Sequence, residues 1–101
     1  MEFQKIIDKI KDFSNQKTEY KKLFFSNALA GEVGEFCNLI KKYFRDSQNW
    51  TSEQYFKYLN NIVKEIADIF IYLVLNARVH DINLEFAILD KIDIIEKRLS
   101  K

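Results

Sequence analysis

Phe3, Ile6, Ile7, Ile10 and Phe13 recur three and four residues apart with charged side chains between them, a spacing that predicts an amphipathic helix at the start of the chain. The same period returns from about Lys21 to Phe44, where Leu29, Val33, Phe36, Leu39, Ile40 and Tyr43 are apolar. The polar stretch RDSQNWTSEQ then reads as a connection. Within it Thr51 followed by Gln54 has the form of a capping box, so a third helix is expected to start there and run to about Val79, with Asn60-Asn61 as a candidate bend or break. Asn83 is a plausible N-cap for a fourth helix, with Ile82 as staple and Leu84, Ile88, Ile92, Ile95 and Leu99 as its apolar stripe. Alternation bounded by tight-turn residues is absent, and with no proline and two glycines little interrupts long helices. The expected architecture is an all-α bundle of about four helices.

A chain of 101 residues suits one domain spanning 1–101, and 48% hydrophobic with 15% aromatic residues is enough for a core. A formal net charge of +1 gives no overall field toward nucleic acid or an anionic membrane, so neither is expected as a partner. Cys37 is the single cysteine and His80 the single histidine. No internal disulfide or zinc-type cluster can form, and a reducing, cytoplasmic setting is expected. The first residues mix charge with apolar side chains, unlike a signal peptide. The longest apolar run, IFIYLVLNA, is short of the roughly 20 residues of a membrane span.

Two segments break the apolar pattern in the same way. AGEVGEF carries Glu32 and Glu35, and KEIADIF carries Glu65 and Asp68. Residues three apart share a helix face, so each pair can act as one chelating unit. The second pair interrupts a segment in which Ile62, Ile66, Ile69, Phe70, Leu73 and Val74 leave hardly any face free of apolar side chains, and such a helix should be buried. Ionised carboxylates taken out of water need protonation, a cationic partner or a metal ion. Four hard oxygen donors suit Mg²⁺, with Mn²⁺ as substitute, and Mg²⁺ commonly completes its shell with substrate phosphates. The chemistry that follows is metal-assisted phosphoryl transfer or hydrolysis. The competing reading is a solvated, salt-bridged acidic face. Ala30, Gly34 and Cys37 form a smooth stripe beside the first pair, and glycine within a helix is most easily explained by close approach of another helix or a ligand. Cys37 itself is expected as a small packing residue.

The motifs LAGEVGEF, KEIADIFIYLVLNARVHDINLEFAIL and KIDIIEKR together resemble the MazG-like all-α nucleoside triphosphate pyrophosphohydrolases, and within them look closest to the dCTP pyrophosphatase type. The resemblance covers roughly residues 25 to 98. It implies that Glu32, Glu35, Glu65 and Asp68 are Mg²⁺ ligands and catalytic residues. It also implies cleavage of a nucleoside triphosphate between its α and β phosphorus, giving a monophosphate and pyrophosphate. Which glutamate serves as base is left open. The resemblance further places Lys91 and Arg98 on phosphate and Tyr72 at the nucleotide pocket, against a solvated basic face and a core tyrosine as the alternatives. His80 is expected as a helix-end residue. Ile95 stands where relatives have an asparagine and Lys42 where dCTP pyrophosphatases have an aromatic; Trp50, Tyr55, Phe56 and Tyr58 are candidates to supply aromatics instead. Relatives assemble as dimers or tetramers, so a homo-oligomer is expected to complete the bundle. The rival readings are a non-catalytic helical interaction module and a sister enzyme acting on another nucleotide such as phosphoribosyl-ATP. A di-iron bundle is set aside because its Glu-x-x-His motifs are missing.

Overall fold

Residues 2–100 are described by a computed structural model, in which four α-helices follow one another without a strand among the described residues: α1 (Phe3–Lys11), α2 (Glu19–Asp46), α3 (Ser52–Val79) and α4 (Leu84–Leu99). The fold is all-α, as the periodicity predicts. A single 3₁₀ turn, Ser47–Asn49, lies between α2 and α3. This short connection folds the two 28-residue helices back on each other as an antiparallel hairpin, the scaffold of the molecule.

The caps are written into the sequence. Thr18 accepts from the Lys21 amide at the start of α2, and Asn83 accepts from the Phe86 amide at the start of α4. At α3 the Gln54 amide donates to Thr51 Oγ1 at 3.2 Å while the Thr51 amide donates to Gln54 Oε1 at 2.8 Å, a reciprocal box that satisfies two otherwise orphaned donors. Thr51→Ala is expected to cost about 1 kcal/mol, seen as a melting temperature lowered by roughly 5 °C. A melt unchanged by the substitution would show that packing alone fixes this end of α3. At the other end Asp81 takes φ = 56°. Its amide donates to Arg78 O and that of Ile82 to Ala77 O, the bond pattern of a Schellman stop. An aspartate tolerates this left-handed conformation better than most residues, and here it is also held by an ion pair with Lys17.

Asn60-Asn61 makes no break; α3 is continuous through it. Asn61 is half-buried and belongs to the site below, so its polarity serves a surface rather than a turn. Phe13 falls beyond α1 and is exposed, because the helix stops at Lys11.

The core is small. Ile7 and Ile10 of α1, Phe25 of α2, and Val74, Leu75 and Val79 of α3 are buried together. Phe70, Ile71, Tyr72 and Leu84 pack against them. Asn76 ties the hairpin across this core by donating to Phe25 O at 3.0 Å and Tyr72 O at 2.8 Å. Arg78 donates to Ser14 O at 2.9 Å, holding down the loop between α1 and α2. The His80 ring lies against the carbonyl of Asn76, Nδ1 at 2.8 Å, so it is the helix-end residue expected.

The expectation that α3 is buried on nearly every face holds only for its last two turns. Val63 and Ile66 are exposed because α1 and the start of α2 cover the other end of the helix. α4 is anchored at Leu84, and every residue from Lys91 to Ser100 is exposed. The radius of gyration, 17.0 Å, exceeds the roughly 13 Å of a closed domain of this length. Around Gly31 and Gly34 there is open space, and Cys37 is exposed, which corrects its expected role in packing: no helix of the same chain reaches the small-residue stripe. No helix among the described residues is long and apolar enough to cross a membrane.

Candidate metal and nucleotide site

The antiparallel hairpin sets the middle of α2 against the middle of α3. Glu32 and Glu65 therefore meet across the helix pair, and Asp68 joins them from the next turn of α3. One carboxylate oxygen from each of Glu32, Glu65 and Asp68 lies within 4.8 Å of the other two, all on half-buried residues. Glu35 stands at the rim, exposed and close enough to act on Glu65.

The electrostatics follow from the chemistry of the groups. Glu32 Oε2 and Glu65 Oε2 are both buried and have no hydrogen-bond partner. Ionised carboxylates only accept, so neither can satisfy the other; a proton shared between them turns the same approach into a bond. The Glu65 carboxyl is accordingly pushed up from 4.5 to about 7, first by that hydrogen bond with Glu32, then by burial, then by the negative charges of Glu32 and Glu35. An orphaned pair of buried oxygens beside a third carboxylate fits a divalent cation. Such an ion supplies the positive charge that no lysine or arginine provides among the described ion pairs and hydrogen bonds at these acids.

This arrangement predicts a pH signature. Between 4.5 and about 7 the folded state holds a proton that the unfolded chain has released, so metal-free stability falls as pH rises through that window. A divalent ion held there would compete for the same oxygens as the proton and would stabilise the fold increasingly toward and above pH 7. At a hundredfold excess over its Kd the ion is expected to raise the melting temperature on the order of 10 °C. Thermal melts across pH with and without the ion check this. A metal-induced shift that shrinks as pH rises would contradict it.

Not every residue singled out in the sequence converges here. Tyr72 is half-buried and packs on the core. Lys91 and Arg98 lie on the exposed length of α4, where the one ion pair among the described residues is between Asp93 and Lys97, at 3.0 Å. Within one chain neither cation has a described bond to the acids.

Sequence reasoning missed Asn38 and Asn61, which lie beside Glu35 and Glu65. A cavity of about 320 Å³ opens next to them, lined by Asn38, Leu39, Lys42 and Asn61 as well. Asn38 is three residues from Glu35 and Asn61 four from Glu65, so helical spacing was the available signal. Beyond it the aromatic residues of the hairpin tip form a cluster. Tyr43 stacks on Tyr58 at 5.2 Å and Trp50 lies 5.4 Å from Tyr58, whereas Phe56 is exposed and outside it. Desolvation there holds the Tyr58 hydroxyl above its ordinary pKa.

Among curated proteins and among solved structures, none matches the chain. The paired acids across an α2–α3 hairpin, followed by α4, do lie within a recognisable domain: residues 22–101 match the family model of the MazG nucleotide pyrophosphohydrolase domain, and the chain belongs to that family.

Proposed function

We propose that the protein is a Mg²⁺-dependent pyrophosphohydrolase that converts a ribo- or deoxyribonucleoside triphosphate and water into the nucleoside monophosphate and pyrophosphate. The observation that carries this reading is the meeting of Glu32, Glu65 and Asp68 with two buried, unpartnered oxygens in a chain of this family. Those three side chains would hold the ion. Bound there, Mg²⁺ or Mn²⁺ supplies neutralisation of phosphate charge and polarisation of the phosphoryl oxygens.

The chain's own groups do the rest. Glu35, at the rim and exposed, is the carboxylate left free to accept a proton, and it serves as general base to the attacking water. The water oxygen bonds to the α phosphorus, the bond from that phosphorus to the bridging oxygen breaks, and pyrophosphate leaves with the bridging oxygen. Lys91 and Arg98 serve as phosphate contacts, a point charge and a fork, delivered by packing of α4 in an assembly. A homodimer, alone or paired into a tetramer, is supported by the exposed α4 stripe and the open space at Gly31 and Gly34. The free Cys37 suits a reducing cytoplasm.

The experiment is to assay pyrophosphate against orthophosphate release from a panel of nucleoside triphosphates, with and without Mg²⁺. Equimolar monophosphate and pyrophosphate, formed only with the ion, is the expected result. Orthophosphate and diphosphate as products, or no turnover by folded, metal-loaded protein, would overturn the reading and favour a non-catalytic helical module.

A further inference from the structure

We propose that the groove between α2 and α3 is the nucleoside subsite and that Lys42 makes it select bases with an oxo group over bases with an amino group at the same position. The inference rests on the pyrophosphohydrolase reading and specifies the substrate class of that site.

The groove is continuous. The cavity beside Glu35 and Glu65 shares Leu39, Lys42 and Asn61 with a second cavity, of about 250 Å³, whose other walls include Trp50 and Tyr58. One end therefore lies at the acids that would hold the triphosphate, and the other at an aromatic wall. Lys42 follows Glu35 by seven residues on α2, and Tyr58 precedes Glu65 by seven on α3. At the rise of a helix that places both about 10 Å along the groove from the acids, the reach of a nucleoside from its 5′ oxygen to the far edge of its base. Phosphates at the acids thus put the base between Lys42 and the Trp50–Tyr58 wall, where its π face can stack.

The polar lining then decides which base fits. Asn38 and Asn61 carry amides that both donate and accept, so they suit either kind of base edge. Lys42 carries three donors and no acceptor. It is exposed on α2, and its charge contributes to holding the Asp46 carboxyl below its ordinary value after the larger effect of Arg45. An ammonium group meets a base oxygen with a charge-assisted bond but meets an exocyclic amine donor to donor. Uracil and cytosine differ at this exocyclic group and, with it, at N3, which donates in uracil and accepts in cytosine, so the pair compares the whole 3,4 edge of the base against the ammonium group. The preference runs opposite to the cytidine specificity of the subtype that the sequence resembles.

Trp50 is the only tryptophan of the chain, so its emission reports on this groove directly and without turnover. Titration of the Mg²⁺-loaded protein with uridine and cytidine 5′-monophosphates, excited at the red edge of indole absorption, is expected to give saturable quenching. The uridine nucleotide should bind about tenfold more tightly. Lys42→Met, a good helix former at an exposed position, should weaken both nucleotides through the lost charge and bring their ratio to about one. No saturable change with either nucleotide, or a ratio that Lys42→Met leaves unaltered, would overturn the assignment. Pyrophosphate release is read separately. Turnover with an unmoved ratio would sink the groove alone, and quenching with the predicted ratio would sustain it even in a protein that releases no pyrophosphate.

Discussion

Glu65→Gln is expected to abolish metal-dependent hydrolysis, by more than about 100-fold, while leaving the metal-free fold firmer at neutral pH. Both effects have one cause. Glu65 sits opposite Glu32 with a buried, unpartnered oxygen on each, and it carries the proton that their approach demands, with its pKa pushed up to about 7. An amide in its place keeps the shape, removes one negative charge from the cluster and offers Glu32 a permanent donor. It also removes one of three hard anionic oxygens from the set that a divalent cation would use. Stability and activity should therefore move in opposite directions, which a simple packing defect cannot produce. Asp68→Asn should behave alike in activity. A Glu65→Gln protein that melts earlier than wild type yet hydrolyses normally would show that these acids are a surface feature with no ion to hold.

The second large effect is expected on α4. Ile92→Glu should reduce the particle to a monomer by sedimentation, unravel much of α4 and lower activity at least about tenfold. Within one chain this helix of 16 residues has no partner beyond its first turns, and Phe86, Leu89, Ile92, Ile94, Ile95 and Leu99 are exposed. Isolated helices of about this length are marginal in water, and a surface that covered the stripe would supply the order. A second copy is the occupant that also accounts for the open Gly31–Gly34 stripe and the wide radius of gyration, 17.0 Å. A charge buried in that interface is costly. Activity is expected to fall because Lys91 and Arg98, the proposed phosphate contacts, ride on the same helix. A wild-type protein that sediments as a monomer, or a variant unchanged in mass and activity, would remove the assembly from the account.

The parts of the structure legible in the sequence are those fixed by local chemistry. Helix ends at Thr51 and Asn83 follow from side chains that satisfy amides three residues on, and the Glu32/Glu35 and Glu65/Asp68 pairs follow from helical spacing alone. The failures share a different cause. Asn60-Asn61 reads as a break because asparagine is a turn former, yet α3 runs through it and Asn61 lines the groove, one turn before Glu65, a placement that turn propensity alone does not show. α3 reads as fully buried because periodicity counts apolar faces without saying which chain covers them. Tyr72 and Glu35 are of another kind, since spacing leaves their roles open: Tyr72 shares a helix face with Asp68, and its half-buried ring packs on the core. Glu35 and Glu32 look equivalent in the motif. Only the crossing of the hairpin separates Glu32, drawn inward beside Glu65, from Glu35 at the rim.

The most direct test of the metal site is anomalous diffraction from crystals grown with Mn²⁺, collected for wild type and Glu65→Gln. A strong manganese peak ringed by Glu32, Glu65 and Asp68 is expected in the wild type and is expected to be lost from the variant. A peak elsewhere on the molecule, or none between α2 and α3 in protein saturated with the ion, would contradict this placement of the ion.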